Sequence, residues 1–216
     1  APQQPSTNRR RLIQLGAGSV PVALTLASRP VFAAGQCNTT SAWGSAILRN
    51  GVGSVKARAA AARIDNPVWS LSQLRNDSAG IGVGGGNPPW AWIYQQRYGG
   101  AALGKNQTPS DYAQATLKIS DLFPAGINGQ TGGPDTVYGY IHAHNSTSNF
   151  VTSLLVARLN ALYAGSGASL CLASSPSTDV LAEMARGTFQ PSNGTGGFWS
   201  NSDVLQYLLD NNYVVA

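Results

Sequence analysis

Charge is what this 216-residue chain has least of: Asp, Glu, Lys and Arg make up 11% of it, less than half of the roughly 25% usual in soluble proteins. Its polarity comes from neutral groups, Ser, Thr and Asn together with 25 Gly. That balance fits an extracellular protein better than a cytosolic one. Apolar residues still reach 43%, enough to bury the core of one sizeable domain, which argues against a disordered chain. Catalytic signatures are also missing. There is no G-x-S-x-G elbow and no S-x-x-K, and nine scattered acids single out no pair for glycoside hydrolysis.

Acidic residues are absent before residue 35, whereas Arg9, Arg10, Arg11 and Arg29 all lie there. Four of the five net positive charges therefore belong to the N-terminal segment. Residues 35–216 hold ten basic and nine acidic residues, a net charge of +1. Phosphate recognition runs on Lys and Arg, so this distribution argues against nucleic acid as a partner.

Cysteine is nearly absent. Cys37 and Cys171 have no C-x-x-C or Cys/His ligand spacing. In an oxidising compartment they would pair most simply with each other, closing a loop of about 134 residues and contributing roughly 4–5 kcal/mol in the chain-entropy model. Two unrelated buried thiols, or pairing between chains, remain the alternatives.

The N-terminal residues carry the clearest address. Asn8-Arg9-Arg10-Arg11-Leu12-Ile13 opens a mildly apolar run that ends in Arg29-Pro30 and a small-residue V-F-A-A-G site at 31–35. Residues 8–34 resemble a twin-arginine export signal, which implies an extracellular, cell-surface or periplasmic destination. Gly, Pro and Thr leave the run too short and too mild for a membrane span. The same stretch reads as a strand, because Val20, Val22, Leu24 and Leu26 alternate with Pro21, Ala23, Thr25 and Ala27. A retained arm of this kind could add to a sheet or groove of a neighbouring subunit. The expected organisation is an export-like segment or extended arm at 1–34 and one globular domain at 35–216.

Within that domain, residues 56–64 suggest a short helix. Residues 79–89, "AGIGVGGGNPP", suggest a flexible loop. Gly80, Gly82 and Gly85 match G-x-G-x-x-G, but a phosphate-binding turn needs a helix directly after it, and Pro88-Pro89 argues against one. Trp90, Trp92 and Tyr94 would share a face of an extended segment. Such a strip either stacks on sugar rings, making surface glycans a partner, or packs in a core or subunit interface.

Helices are expected elsewhere. Thr108-Pro109-Ser110-Asp111 is a strong start, and apolar residues then recur at helical spacing up to Pro124. Residues 149–164, capped by Ser148, have an apolar face so broad that the helix should be central. A shorter helix covers 178–186, and Ser200-Asn-Ser-Asp203 resembles a capping box opening the C-terminal one. The fold class is mainly α, with long Gly-rich loops and a few short strands. The run L-L-V-A-R-L-N at 154–160, followed by "FWSNSDVLQYL" at 198–208, is similar to small exported bacterial surface proteins; that similarity carries no catalytic residues.

One pair of residues suggests a metal. His142 and His144 end "TVYGYIHAH", and on a strand both imidazoles would face one ion, with Asp135 the nearest carboxylate in sequence. The export-signal resemblance implies passage in the folded state, which suits a cofactor-bearing enzyme. The leading expectation is nevertheless a non-catalytic, cofactor-free secreted structural protein that assembles with identical subunits into a filament or surface layer. Low charge weakens repulsion between copies. A secreted metal-assisted hydrolase using His142 and His144, or a glycan-binding module, are the alternatives.

Overall fold

A computed structural model describes residues 68–80, 83–99, 101–130, 132–164, 179–190 and 197–216. The export-like segment, Val20, Val22, Leu24 and Leu26 of the arm, the 56–64 helix and both cysteines lie outside the described residues.

Among the described residues eight α-helices follow one another: α1 (Leu71–Asn76), α2 (Pro89–Tyr98), α3 (Pro109–Thr116), α4 (Ile119–Leu122), α5 (Val137–Ala143), α6 (Phe150–Tyr163), α7 (Val180–Arg186) and α8 (Asn201–Asp210). The mainly α class is therefore met. Strands are not found among the described residues; the only β-type pairing there is one antiparallel bridge, Lys118 to Thr136.

Side chains at the helix starts explain most boundaries. Ser70, Thr108 and Ser200 each accept from the amide three residues on, while Gln73, Asp111 and Asp203 reach back to the cap amide. These are reciprocal capping boxes, satisfying two otherwise unpaired N–H groups per helix. Asn149, not Ser148, caps α6, through the Thr152 amide at 3.0 Å. Gly187 ends α7 in the left-handed region at φ 71°.

Helix α6 is the axis of the fold. Val151 through Ala157, Leu159, Asn160 and Tyr163 are all buried, and α2, α4, α5, α7 and α8 all pack against it. An element covered on nearly every side has no polar face to show, which is why its apolar pattern is so wide.

The single helix expected from 109 to 123 is instead two. Leu117 leaves helical geometry at ψ 112°. Its carbonyl accepts from the Val137 amide, and the Ile119 amide donates to Asp135 O, both at 2.9 Å. This two-bond ladder ties α4 to the start of α5 and overrides the local helical periodicity.

The ends of the described domain also meet. The Leu71 amide donates to Val215 O at 2.7 Å. Beside it Asn160, fully buried, accepts from the Trp69 amide at 2.9 Å and donates to the carbonyls of Trp69 and Tyr213 at 3.1 and 3.2 Å.

Candidate functional site

The aromatic run at 90–94 is helical, not extended. Pro89 occupies the first turn of α2, where its missing N–H costs nothing. On a helix Trp90 and Tyr94 share a face and Trp92 does not. Trp90 is fully buried and its indole N–H donates to Leu74 O at 2.6 Å. Tyr94 is buried too, its hydroxyl donating to Ala101 O. Trp92 donates to Tyr163 O at 2.8 Å. No flat platform for sugar rings is formed by these three residues, and the packing alternative holds.

The glycine loop runs straight into a helix, against the expectation from Pro88-Pro89. A helix does start at Pro89, directly after the loop. Its first free amide is nonetheless taken, since Trp90 N donates to the Asp77 carboxylate at 3.0 Å. A phosphate there would meet that carboxylate. Gly84, Gly85 and Gly86 have φ of 57°, 64° and 80°, a left-handed turn that glycine alone adopts at little cost. A Cβ on Gly84 would lie 2.7 Å from Trp69 and 3.2 Å from Trp92. The glycines thus let backbone pass between two indoles.

His142 likewise lies on a helix, and His144 directly follows it. Thr136 caps α5 through the Gly139 amide at 3.2 Å; His142 lies in the last turn and His144 is the C-cap residue. Positions two apart on a helix turn by about 200°, so the strand argument for a shared ion fails. Each imidazole instead packs at a tilt against a tyrosine four residues earlier, His142 on Tyr138 at 5.4 Å and His144 on Tyr140 at 4.4 Å between ring centres. Among the described residues no group of three or more His, Cys, Asp or Glu side chains converges as a metal site.

Several tyrosines and an arginine are perturbed for structural reasons. A hydrogen bond from Arg97 to the Tyr163 hydroxyl, at 3.3 Å, holds the guanidinium above its ordinary pKa. Burial raises Tyr98 and Tyr140. It also pushes Tyr213 up to about 12 and Tyr207 well above the usual phenol value. None of these phenols is set up as a base near neutrality.

A feature not foreseen from the sequence is a cavity of about 310 Å³ lined by Lys118, Ile119, Ser120, Phe123, Pro124, Gly126, Gln130 and Asp135. Its floor is the buried pair Ile119 and Phe123, and Lys118, Ser120 and Asp135 form an exposed polar rim. A second depression, also about 310 Å³, lies across Gly126 and includes Asn128 and Arg186. The sequence signal was faint: Lys118 and Asp135 are 17 positions apart and are joined only by the Leu117–Val137 ladder.

No protein-family model, curated protein or solved structure matches the chain. None of the helices among the described residues is long and apolar enough to cross a membrane.

Proposed function

We propose that this chain is a non-catalytic, exported structural subunit that associates with copies of itself in an extracellular filament or surface layer. The observation that carries the reading is Phe198, 67% exposed beside Trp199, which packs inward onto Phe189 and Tyr207. Covering that ring in an assembly recovers about 25 cal/mol for each Å² of apolar area removed from water. Leu162, 49% exposed near the end of α6, adds apolar surface. The near-neutral charge of residues 35–216 lowers the electrostatic cost of bringing copies together. Residues 20–26, where retained, are the proposed inter-subunit arm, and the Arg9–Arg11 cluster is the proposed export address.

The test joins electron microscopy and intact mass of protein taken from its native location with sedimentation of the purified chain. Concentration-dependent association that weakens in Phe198→Ser, with thermal stability unchanged, supports the reading. A monodisperse monomer at every concentration overturns it. Ordered assemblies whose mass lacks residues 1–34 remove the arm from the proposal and leave the subunit.

A further inference from the structure

We infer that the Lys118–Asp135 cavity is a binding site for a small zwitterion of the amino-acid class. Its volume, about 310 Å³, sits at the lower limit of about 300–1,000 Å³ typical of ligand pockets, which suits a molecule of few atoms.

The rim is chemically unusual for so small a space. Its lining includes one lysine, Lys118, and one aspartate, Asp135. Among the described residues neither belongs to an ion pair; the pairs found there join Arg97 to Asp121 and Arg158 to Asp179. Two oppositely charged residues that line one cavity and form no ion pair with each other leave room for a ligand carrying both signs. Its carboxylate would face Lys118 and its ammonium Asp135. Ser120 and Gln130 supply neutral hydrogen-bonding groups, and Ile119 and Phe123 give an apolar floor for a small side chain.

Backbone bonds fix the two segments that carry these residues. Ile119 N donates to Asp135 O, and Val137 N to Leu117 O. The Lys118 amide is fixed by the Asp121 carboxylate at 2.9 Å. Gln130 is placed by a turn whose amide donates to Ile127 O at 3.1 Å. The backbone of both segments is therefore set before any ligand arrives, which lowers the ordering cost of binding.

Titration of the isotope-labelled full chain with L-alanine, followed by amide NMR shifts, tests the assignment. The expected result is saturable shifts at Lys118, Ser120, Gln130 and Asp135 with Kd on the order of 1 mM, as suits charges that face water. Propionate and ethylamine, each with one of the two charges, bind at least roughly tenfold more weakly. Lys118→Gln and Asp135→Asn each bring alanine down to that weaker level, and the exchange Lys118→Asp with Asp135→Lys restores binding. Alanyl-alanine separates the sources: tighter binding than alanine points to short peptides, weaker binding to free amino acids. Equal affinity for alanine, propionate and ethylamine overturns the inference, as does the absence of saturable shifts. The unmodified protein decides this even where a variant fails to fold.

Discussion

Asn160 answers both backbone groups of Trp69, accepting from its N–H at 2.9 Å and donating to its C=O at 3.1 Å across 91 positions of sequence. The same amide nitrogen reaches Tyr213 O at 3.2 Å. One side chain on the central helix thereby fastens the segment ahead of α1 and the C-terminal tail. Asn160→Ala strands three buried backbone groups at once, and each unpaired buried group costs about 1–3 kcal/mol. A loss of roughly 3 kcal/mol or more in urea unfolding is expected, although alanine is the better helix former. A loss under about 1 kcal/mol would show that water replaces the amide.

Gly84 tests the indole sandwich. Gly84→Ala combines left-handed backbone, φ 57°, with a Cβ only 2.7 Å from Trp69. Gly86→Ala has φ 80° but nothing within 4 Å of its Cβ. Both carry the backbone penalty of about 1 kcal/mol; only the first also displaces a buried ring. Gly84→Ala is expected to cost at least about 1 kcal/mol more than Gly86→Ala and to change tryptophan fluorescence. Equal losses would sink the steric explanation.

These two sites show what a sequence can and cannot disclose. Helix starts at Thr108 and Ser200 were legible because a cap and its reciprocal acid lie within four residues. The centrality of α6 was legible from the breadth of its apolar face. The aromatics at 90, 92 and 94 imitated a period of two while Pro89 was starting a helix, and His142 and His144 were misread the same way. Asn160 carries no local signal within L-L-V-A-R-L-N, because its partners Trp69 and Tyr213 are distant in sequence. The Lys118–Asp135 cavity was hidden for a related reason: the ladder that creates it breaks a run with good helical spacing. Local rules worked where partners were local, and failed where tertiary hydrogen bonds outweighed period.

Alkaline stability should report on the C-terminal aromatic pair. Burial pushes Tyr213 up to about 12 and holds Tyr207 well above the usual phenol value, and the two rings lie 5.7 Å apart. The folded state holds these protons more tightly than the unfolded chain, whose phenols ionise near pH 10. Their contribution is thus complete below about pH 10 and is lost as pH rises through about 12, because the unfolded state sheds protons first. Urea midpoints are expected to fall steeply across that window and less steeply in Tyr213→Phe. Tyrosinate absorbance of the folded protein in which every phenol titrates near 10 would contradict the burial argument.

Asp179 is asked to do two jobs, and two substitutions separate them. Its carboxylate receives both terminal nitrogens of Arg158, at 2.8 and 2.5 Å, and one of its oxygens also caps α7 through the Ala182 amide at 3.1 Å. Arg158 comes from the central helix and covers the Phe123 ring at 5.5 Å, so the pair pins the start of α7 to α6. Asp179→Asn keeps an oxygen for the cap but removes the charge. Asp179→Ala removes both. The cap contributes about 1 kcal/mol. The ion pair, partly open to solvent at 19% and 39% side-chain exposure, contributes about 1 kcal/mol after screening. Asp179→Asn is therefore expected to cost about 1 kcal/mol in low salt and less in 1 M salt, where the Debye length falls to about 3 Å. Asp179→Ala should cost about 2 kcal/mol, with only the ionic half sensitive to salt. Equal losses for the two variants would mean that the cap contributes nothing and that charge alone positions α7.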